Sequence, residues 1–146
     1  MGFGLPDMSQ LIYKLSVNPD ESRSAETPAN GAAQLKGPVK AYSFDFGISL
    51  YQMKLRRLPD GNRRGHLEVR VIAYDDSGKP LNMTGHNGYL NLTPMAYQEA
   101  LRTGVQLHEE LDLPAKTSVH IRTGVYDLNS DNAGTLGVRL RTEAAE

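Results

Sequence analysis

The sequence predicts an all-β fold that contains one short helix. Three observations carry this prediction. Seven or eight short segments alternate apolar and polar residues with the period of two that a half-buried strand requires. Clusters of Pro, Gly, Asn and Asp separate these segments, and a single stretch carries the capping residues of a helix. At 146 residues the chain is expected to form one domain, 1–146.

The first strand candidates lie in the N-terminal half. Leu11–Val17 is the first, and Val39–Ile48 follows with aromatic residues and isoleucine on one face and Ser, Asp and Gly on the other. Aromatic and β-branched residues suit a pleated surface, so the second segment is predicted to be a central strand. Leu50–Leu58 is a shorter candidate. The turn signal Pro59–Asn62 ends it, because proline presets φ and glycine or asparagine accepts positive φ.

The middle of the chain supplies two more strand candidates. His66–Tyr74 places Leu67 and other apolar residues on one face and charged residues on the other. Leu81–Leu92 continues in extended form. Gly85 and Gly88 weaken this second segment, so an edge strand or a bulge is expected there.

The single helix signature is TPMAYQEALRTG. Thr93 is a good N-cap, Pro94 fits the first helical position, and Gly104 suits the C-terminal cap. The pattern predicts a helix over Pro94–Arg102.

The C-terminal third alternates again. Val105–Leu113 is a strand candidate in which Glu109 interrupts the apolar phase, and Pro114 ends it. The last two segments form a predicted β-hairpin around a polar cluster, Asp127–Gly134. The inward residues of its two arms are Val119, Ile121, Thr123, Val125, Leu136, Val138 and Leu140.

This number of short strands, with turns between them, is typical of an antiparallel immunoglobulin/fibronectin III-like β-sandwich, with a barrel as the alternative. The phase of alternation predicts the core. Its expected members are Phe44, Phe46, Leu67, Val69, Val71, Leu107, Val119, Ile121, Val125, Leu136 and Val138.

Two polar stretches stand outside this pattern. The segment 18–37 has two prolines and no period, so it is expected to be a long loop. It is also a candidate for a partner contact or for shielding a sheet edge, and deleting residues 20–35 should leave the sandwich folded. The tail 141–146 is polar and expected to fray.

Composition narrows the classes of function. The net charge of −1, with both signs scattered, gives no attraction to nucleic acid. The absence of cysteine excludes disulfides and thiolate metal sites. The sequence has no apolar run of about 20 residues, so no membrane span is expected, and its start lacks the basic and apolar regions of a signal peptide.

The sequence shows no catalytic motif. It has no GxSxG, GxxxxGK[ST] or GxGxxG, and neighbouring carboxylates such as Asp75 and Asp76 would point to opposite faces of a strand. No enzyme activity and no cofactor are therefore expected. The basic residues Arg56, Arg57, Arg63 and Arg64 flank a turn and are interpreted as a solvated loop rather than a phosphate site.

One metal site is a candidate. Asp127, Asn129 and Asp131 have the spacing of the first three calcium ligands of an EF-hand-type loop, in which alternate oxygens wrap one cation. Val138 stands where the bidentate glutamate of such a loop belongs. The same residue types build hairpin turns, which is the simpler interpretation.

The second half resembles a known family. The pieces LEVRVIAYDDSGK (67–79), LNLTPMAYQEALRTG (90–104), LDLP (111–114) and VHIRTGVYDLNSDNAGTLGVRL (119–140) occur in that order. They are similar to the C-terminal β-sandwich domain of VWFA-related (acidobacterial) domain proteins, over positions 39–140. Pro114-Ala115-Lys116 departs from the glycine of that family. The von Willebrand factor A-like domain and its metal motif are not in this sequence, so nothing of that metal site is carried over.

The resemblance implies a non-catalytic, extracytoplasmic module. Together with the missing catalytic motifs, it predicts a structural or protein-interaction module, an accessory domain of a secreted or surface protein. A protein partner or self-association is expected. The alternative is a carbohydrate- or calcium-binding module, and a small hydrolase is the third possibility.

Overall fold

The computed structural model describes residues 8–20, 35 and 37–144. Within these residues the protein is an antiparallel all-β sandwich of two sheets with one short helix, which confirms the predicted fold class. The elements in chain order are β1 Tyr13–Pro19, β2 Val39–Ile48, β3 Arg56–Arg57, β4 Arg63–Tyr74, β5 Pro80–Leu92, α1 Pro94–Thr103, β6 Val105–Pro114, β7 Ser118–Asp127 and β8 Ala133–Arg141.

The described strands divide into two sheets. One has three strands in the order β1-β2-β6, and Val39 of β2 pairs with Pro114 of β6. In the other sheet β4 lies between β5 and β7, and β8 follows β7. β5 pairs with every residue of β4 and so occupies one side of that strand. The two-residue β3, which pairs with the start of β4, therefore lies on the other side, the same side as β7.

The core lies between the sheets, on the faces that the alternation predicted. Tyr42, Phe44, Phe46 and Ile48 of β2 are almost completely buried. The predicted core residues are buried as well, with three exceptions. Leu107, Leu136 and Val138 are partly buried or exposed, and Val138 is 37% exposed. All three lie on β6 or β8, which are edge strands of their sheets and so are covered on fewer sides.

Leu50–Leu58 differs from the predicted strand. Only Arg56 and Arg57 pair as a strand, and the preceding residues turn, with the Met53 N–H donating to the Leu50 carbonyl at 3.0 Å. The Lys54 N–H donates to a side-chain carboxylate of the last hairpin instead of a neighbouring strand. Main-chain groups that find such partners cannot form a ladder.

The helix is confirmed at its predicted position. Thr93 Oγ1 accepts a hydrogen bond from the Ala96 N–H at 3.1 Å, and Pro94 occupies the first turn. Gly104 ends the helix at φ 81°, where a side chain would be strained. The start of α1 lies beside the turn between β3 and β4, and its end lies beside the end of β2, since a Cβ on Gly61 would lie 3.6 Å from Pro94 and a Cβ on Gly104 would lie 3.0 Å from the Ile48 carbonyl oxygen.

Both ends of the described chain are tied to the sandwich. Ser9 bridges to Gly134 of β8 before the chain enters the other sheet as β1. At the C-terminus the structure differs from the expected frayed tail, because Thr142 is 4% exposed and its hydroxyl donates to the Pro114 carbonyl at 2.6 Å. Of the predicted loop 18–37, residues 18 and 19 belong to β1, and residues 21–34 and 36 lie outside the described residues.

Candidate functional site

β5 is a sheet edge with an unusual composition. It is 13 residues long, the longest strand described, and contains no Asp, Glu, Lys or Arg. Edge strands normally carry charged side chains, which oppose pairing with another chain. The other edges follow that rule, with exposed Lys14 on β1 and exposed Arg139 and Arg141 on β8. The β5 edge lacks this protection.

The outward main-chain groups of β5 can be assigned from one hydrogen bond. The Met83 N–H donates to the Asn82 side-chain oxygen at 2.9 Å, so it points away from β4. Successive residues of a strand alternate in direction, and the register with β4 is regular from Arg63 to Ala73. The N–H and C=O groups of Asn87, Tyr89 and Asn91 therefore also point outward. Within the described residues they accept and donate no hydrogen bond.

The other half of β5 is closed against β6. Asn82 is 7% exposed and spans the gap between the sheets, because its Nδ2 donates to the Asp112 carbonyl at 2.9 Å. Four residues along, the Nδ1–H of His86 donates to Oε1 of Glu109 at 2.5 Å. Glu109 is the residue that interrupts the apolar phase of β6, and its side chain is 10% exposed. The open part of the edge is therefore confined to residues 87–91.

Two arginines of β4 lie next to β5, and two more lie on β3, on the far side of β4. β3 pairs with the start of β4 so that Arg56 is opposite Arg64 and Arg57 is opposite Arg63. We call these residues the arginine hairpin. The Arg64 guanidinium lies 4.1 Å from the ring centroid of Tyr89 on β5. Tyr89 is 63% exposed, so the edge carries a large aromatic side chain next to a cation.

The predicted calcium ligands Asp127 and Asn129 hold a turn together. Asp127 is fully buried, and its Oδ2 accepts hydrogen bonds from the Lys54 N–H and the Ser130 hydroxyl, both at 2.7 Å. Its Oδ1 accepts from the Asn129 N–H at 3.1 Å, and the Asn129 Nδ2 donates to the Lys54 carbonyl at 3.0 Å. These contacts support the hairpin-turn interpretation.

The third predicted ligand faces another group. Asp131 has φ 64° and accepts a hydrogen bond from the Tyr126 hydroxyl. This bond raises the pKa of Tyr126 above its usual range, since it makes removal of the phenolic proton beside a carboxylate unfavourable. The structure thus joins Asp127 and Asn129 through Lys54. The Asp131 side chain has a separate partner, while the Asp131 N–H donates to the Asp127 carbonyl at 2.8 Å. Calcium binding by this loop stays a prediction.

The histidines lie in separate pairs. His66 is stacked on Tyr89 with ring centroids 4.2 Å apart, His86 contacts Glu109, and His120 lies 3.0 Å from Asp76. The Nδ1–H of His108 donates to Asp45 at 2.7 Å, and this bond raises the pKa of His108. Among the described residues no three His, Asp or Glu side chains converge to hold a metal ion.

Sequence reasoning noticed the arginines but not the surface they belong to. The absence of charge from 80 to 92 was visible in the sequence and could have marked the exposed edge. The stacking of Arg64 on Tyr89 could not have been found, because it depends on the register of β4 with β5.

Comparison of the sequence with protein-family models and with curated proteins found no match. The described residues hold no helix with the length and hydropathy that crossing a bilayer requires.

Proposed function

We propose that this protein is a non-catalytic protein-interaction module that binds an extended segment of another protein by strand addition to β5. One observation carries the proposal. The N–H and C=O groups of Asn87, Tyr89 and Asn91 point outward from an edge that has no charged side chain. These groups form no hydrogen bond with any described residue. An extended peptide satisfies such groups by adding a strand, and pockets for alternate side chains give the specificity.

The rest of the proposal follows the resemblance noted above. The resemblance implies that the module is an accessory domain of a secreted or surface protein. The sandwich fold is compatible with that setting. The strand order supports an immunoglobulin-like assignment. Seven strands remain when the short β3 is set aside. Numbered again along the chain, strands one, two and five form one sheet, and the other sheet has the order four, three, six, seven. The immunoglobulin constant arrangement differs in placing the fourth strand beside the fifth.

The first experiment is a peptide selection with a matched pair of edge variants. A library of random linear peptides is selected on the wild-type protein and then tested on Asn91→Pro and Asn91→Ala. Proline removes the outward N–H without touching a ladder hydrogen bond to β4, whereas alanine keeps that N–H. We expect peptides that bind wild type and Asn91→Ala alike and lose at least tenfold in affinity for Asn91→Pro.

The result that contradicts strand addition is equally specific. Selected peptides that bind Asn91→Pro as tightly as wild type would place their site elsewhere. Amide chemical-shift changes upon peptide addition locate the site independently, and we expect the largest changes at residues 87–91.

A further inference from the structure

The arginine hairpin concentrates four positive charges on two short paired strands. Like charges directly opposite each other across two strands are destabilising, and here two such pairs are adjacent. None of the four arginines forms an ion pair with an acidic side chain among the described residues. The chain as a whole has a net charge of −1, so this positive patch is local. The repulsion between these arginines destabilises the free protein. An anionic partner that bound here would offset this repulsion.

Aromatic rings hold two of these arginines in place. Arg64 stacks on Tyr89 and Arg63 stacks on Tyr97 of α1, each at 4.1 Å from the ring centroid. Stacking uses the flat face of a guanidinium and leaves its N–H edges available for a carboxylate. Because the side chains are already ordered, less conformational entropy is lost when an anion binds.

The ring under Arg64 is itself fixed. His66 is opposite Tyr89 in the register and stacks on it, and the Nε2–H of His66 donates to Oδ1 of Asn87 at 2.9 Å. Glu68 also lies on this face, opposite Asn87, and it already accepts a hydrogen bond from Arg70 at 2.6 Å. Positive charge therefore dominates this part of the outer face.

Arg64 and Arg56 share the outer face of this sheet with Tyr89 of the open edge, whereas Arg63 and Arg57 point to the other face. Arg64 is directly opposite Asn91. A strand added to β5 would lie two strand spacings, about 10 Å, from β4 and one further spacing from β3. The side chains of such a strand that share the outer face recur at every second residue. A glutamate at one of these positions has the length to meet the Arg64 guanidinium over Tyr89.

We infer that the segment bound at the β5 edge is an acidic extended peptide with carboxylates at alternate positions, held by Arg64 and, behind it, Arg56 of the arginine hairpin. The inference rests on the proposed strand addition and adds the charge of the partner. A single-stranded nucleic acid is the competing anion. It is disfavoured because a base stacking on Tyr89 would compete with Arg64 and His66, which both stack on that ring.

The test measures fluorescence anisotropy with three labelled ten-residue peptides that alternate valine with glutamate, serine or lysine. The double variant Arg56→Glu, Arg64→Glu reverses the charge of the two outer-face arginines, and Arg139→Glu, Arg141→Glu makes the same charge change on the β8 edge. We expect the glutamate peptide to bind wild type at least tenfold more tightly than the serine peptide. The Arg56/Arg64 variant should lose this preference and the Arg139/Arg141 variant should keep it, with circular dichroism checking that both remain folded.

Each other outcome overturns the inference, and two of them separate it from the proposed function. Equal binding of all three peptides, lost in Asn91→Pro, would leave strand addition in place and remove the acidic partner. Binding of the glutamate peptide that depends on Arg56 and Arg64 but survives Asn91→Pro would show an anion site without strand addition. Absence of binding at millimolar peptide, or tighter binding of an oligothymidylate than of the glutamate peptide, would also overturn it.

Discussion

Asp127 shows how one buried carboxylate can organise two distant parts of the chain. It accepts hydrogen bonds from Lys54, Asn129 and Ser130, so the segment after β2 and the last hairpin share one anchor. Asp127→Asn keeps the size of the side chain but turns an amide N–H₂ towards these donors. We expect the free energy of unfolding to fall by about 3 kcal/mol, since buried donors lose a charged acceptor.

Urea denaturation measures this loss. Asp131→Asn is the control, because asparagine tolerates the positive φ at that exposed turn position. Its effect should stay within about 0.5 kcal/mol. If the predicted calcium loop exists, calcium will raise the melting temperature of wild type and not of Asp127→Asn, which would contradict a purely structural role.

His108 offers a pH-dependent test at the surface of β6. Its pKa is raised chiefly by the hydrogen bond to Asp45, so the protonated form is favoured in the folded state. The stabilisation is complete below the unfolded pKa, about 6.5, and disappears as the pH rises through the higher folded value. We expect Asp45→Asn to lower the pKa of His108 in an NMR titration. Asp76→Asn, which changes the partner of His120 instead, should leave the pKa of His108 unchanged.

At the scale of elements, Gly134 marks a close crossing of two chain segments. A Cβ there would lie 2.0 Å from the Leu11 carbonyl oxygen, whereas a Cβ on Gly88 would meet nothing within 4 Å. Gly134→Ala must therefore push residues 8–11 away from β8. We expect it to lower the free energy of unfolding by about 2 kcal/mol, measured by thermal denaturation, with Gly88→Ala unchanged or slightly more stable. Equal effects of the two substitutions would contradict this packing.

Strict alternation made most elements predictable, and hydrogen bonds between distant residues explain the failures. β2, β4, β7 and the helix caps follow from local sequence, because each needs only its own pattern to choose a face or an end. Residues 50–55 looked like a strand, but Asp127 and Asn132 take up main-chain groups there. No local signal reveals partners more than seventy residues away.

Part of the candidate site was likewise open to sequence reasoning. The arginines and the uncharged run of β5 can be read from residue types. The sequence does not reveal which amides of β5 point outward. Their direction depends on how β5 pairs with β4, and it is marked by the hydrogen bond that the Met83 N–H donates to the Asn82 side chain.

For the whole molecule, the segment between β1 and β2 is expected to be dispensable for folding. The Asp20 N–H donates to the Ala41 carbonyl at 2.8 Å, so the chain leaves β1 close to the strand that it enters next. Deleting residues 21–35 should preserve the far-UV circular dichroism spectrum and alter association at most. Light scattering over a range of protein concentrations measures that association, and loss of cooperative unfolding in the deletion variant would contradict the prediction.

The pairing of β2 with β6 has a consequence for how quickly the protein acquires its structure. Val39 meets Pro114 and Ile48 meets Val105, so a central ladder of one sheet forms between parts of the chain more than fifty residues apart. Loops of that length must close before the ladder stabilises anything, and proteins dominated by such contacts refold in roughly milliseconds to seconds. Until β6 is in place, Asn82 and His86 of the uncharged β5 lack their contacts with Asp112 and Glu109, so a longer part of the β5 edge is exposed. Refolding yield should therefore fall with protein concentration, even where the native state stays monomeric.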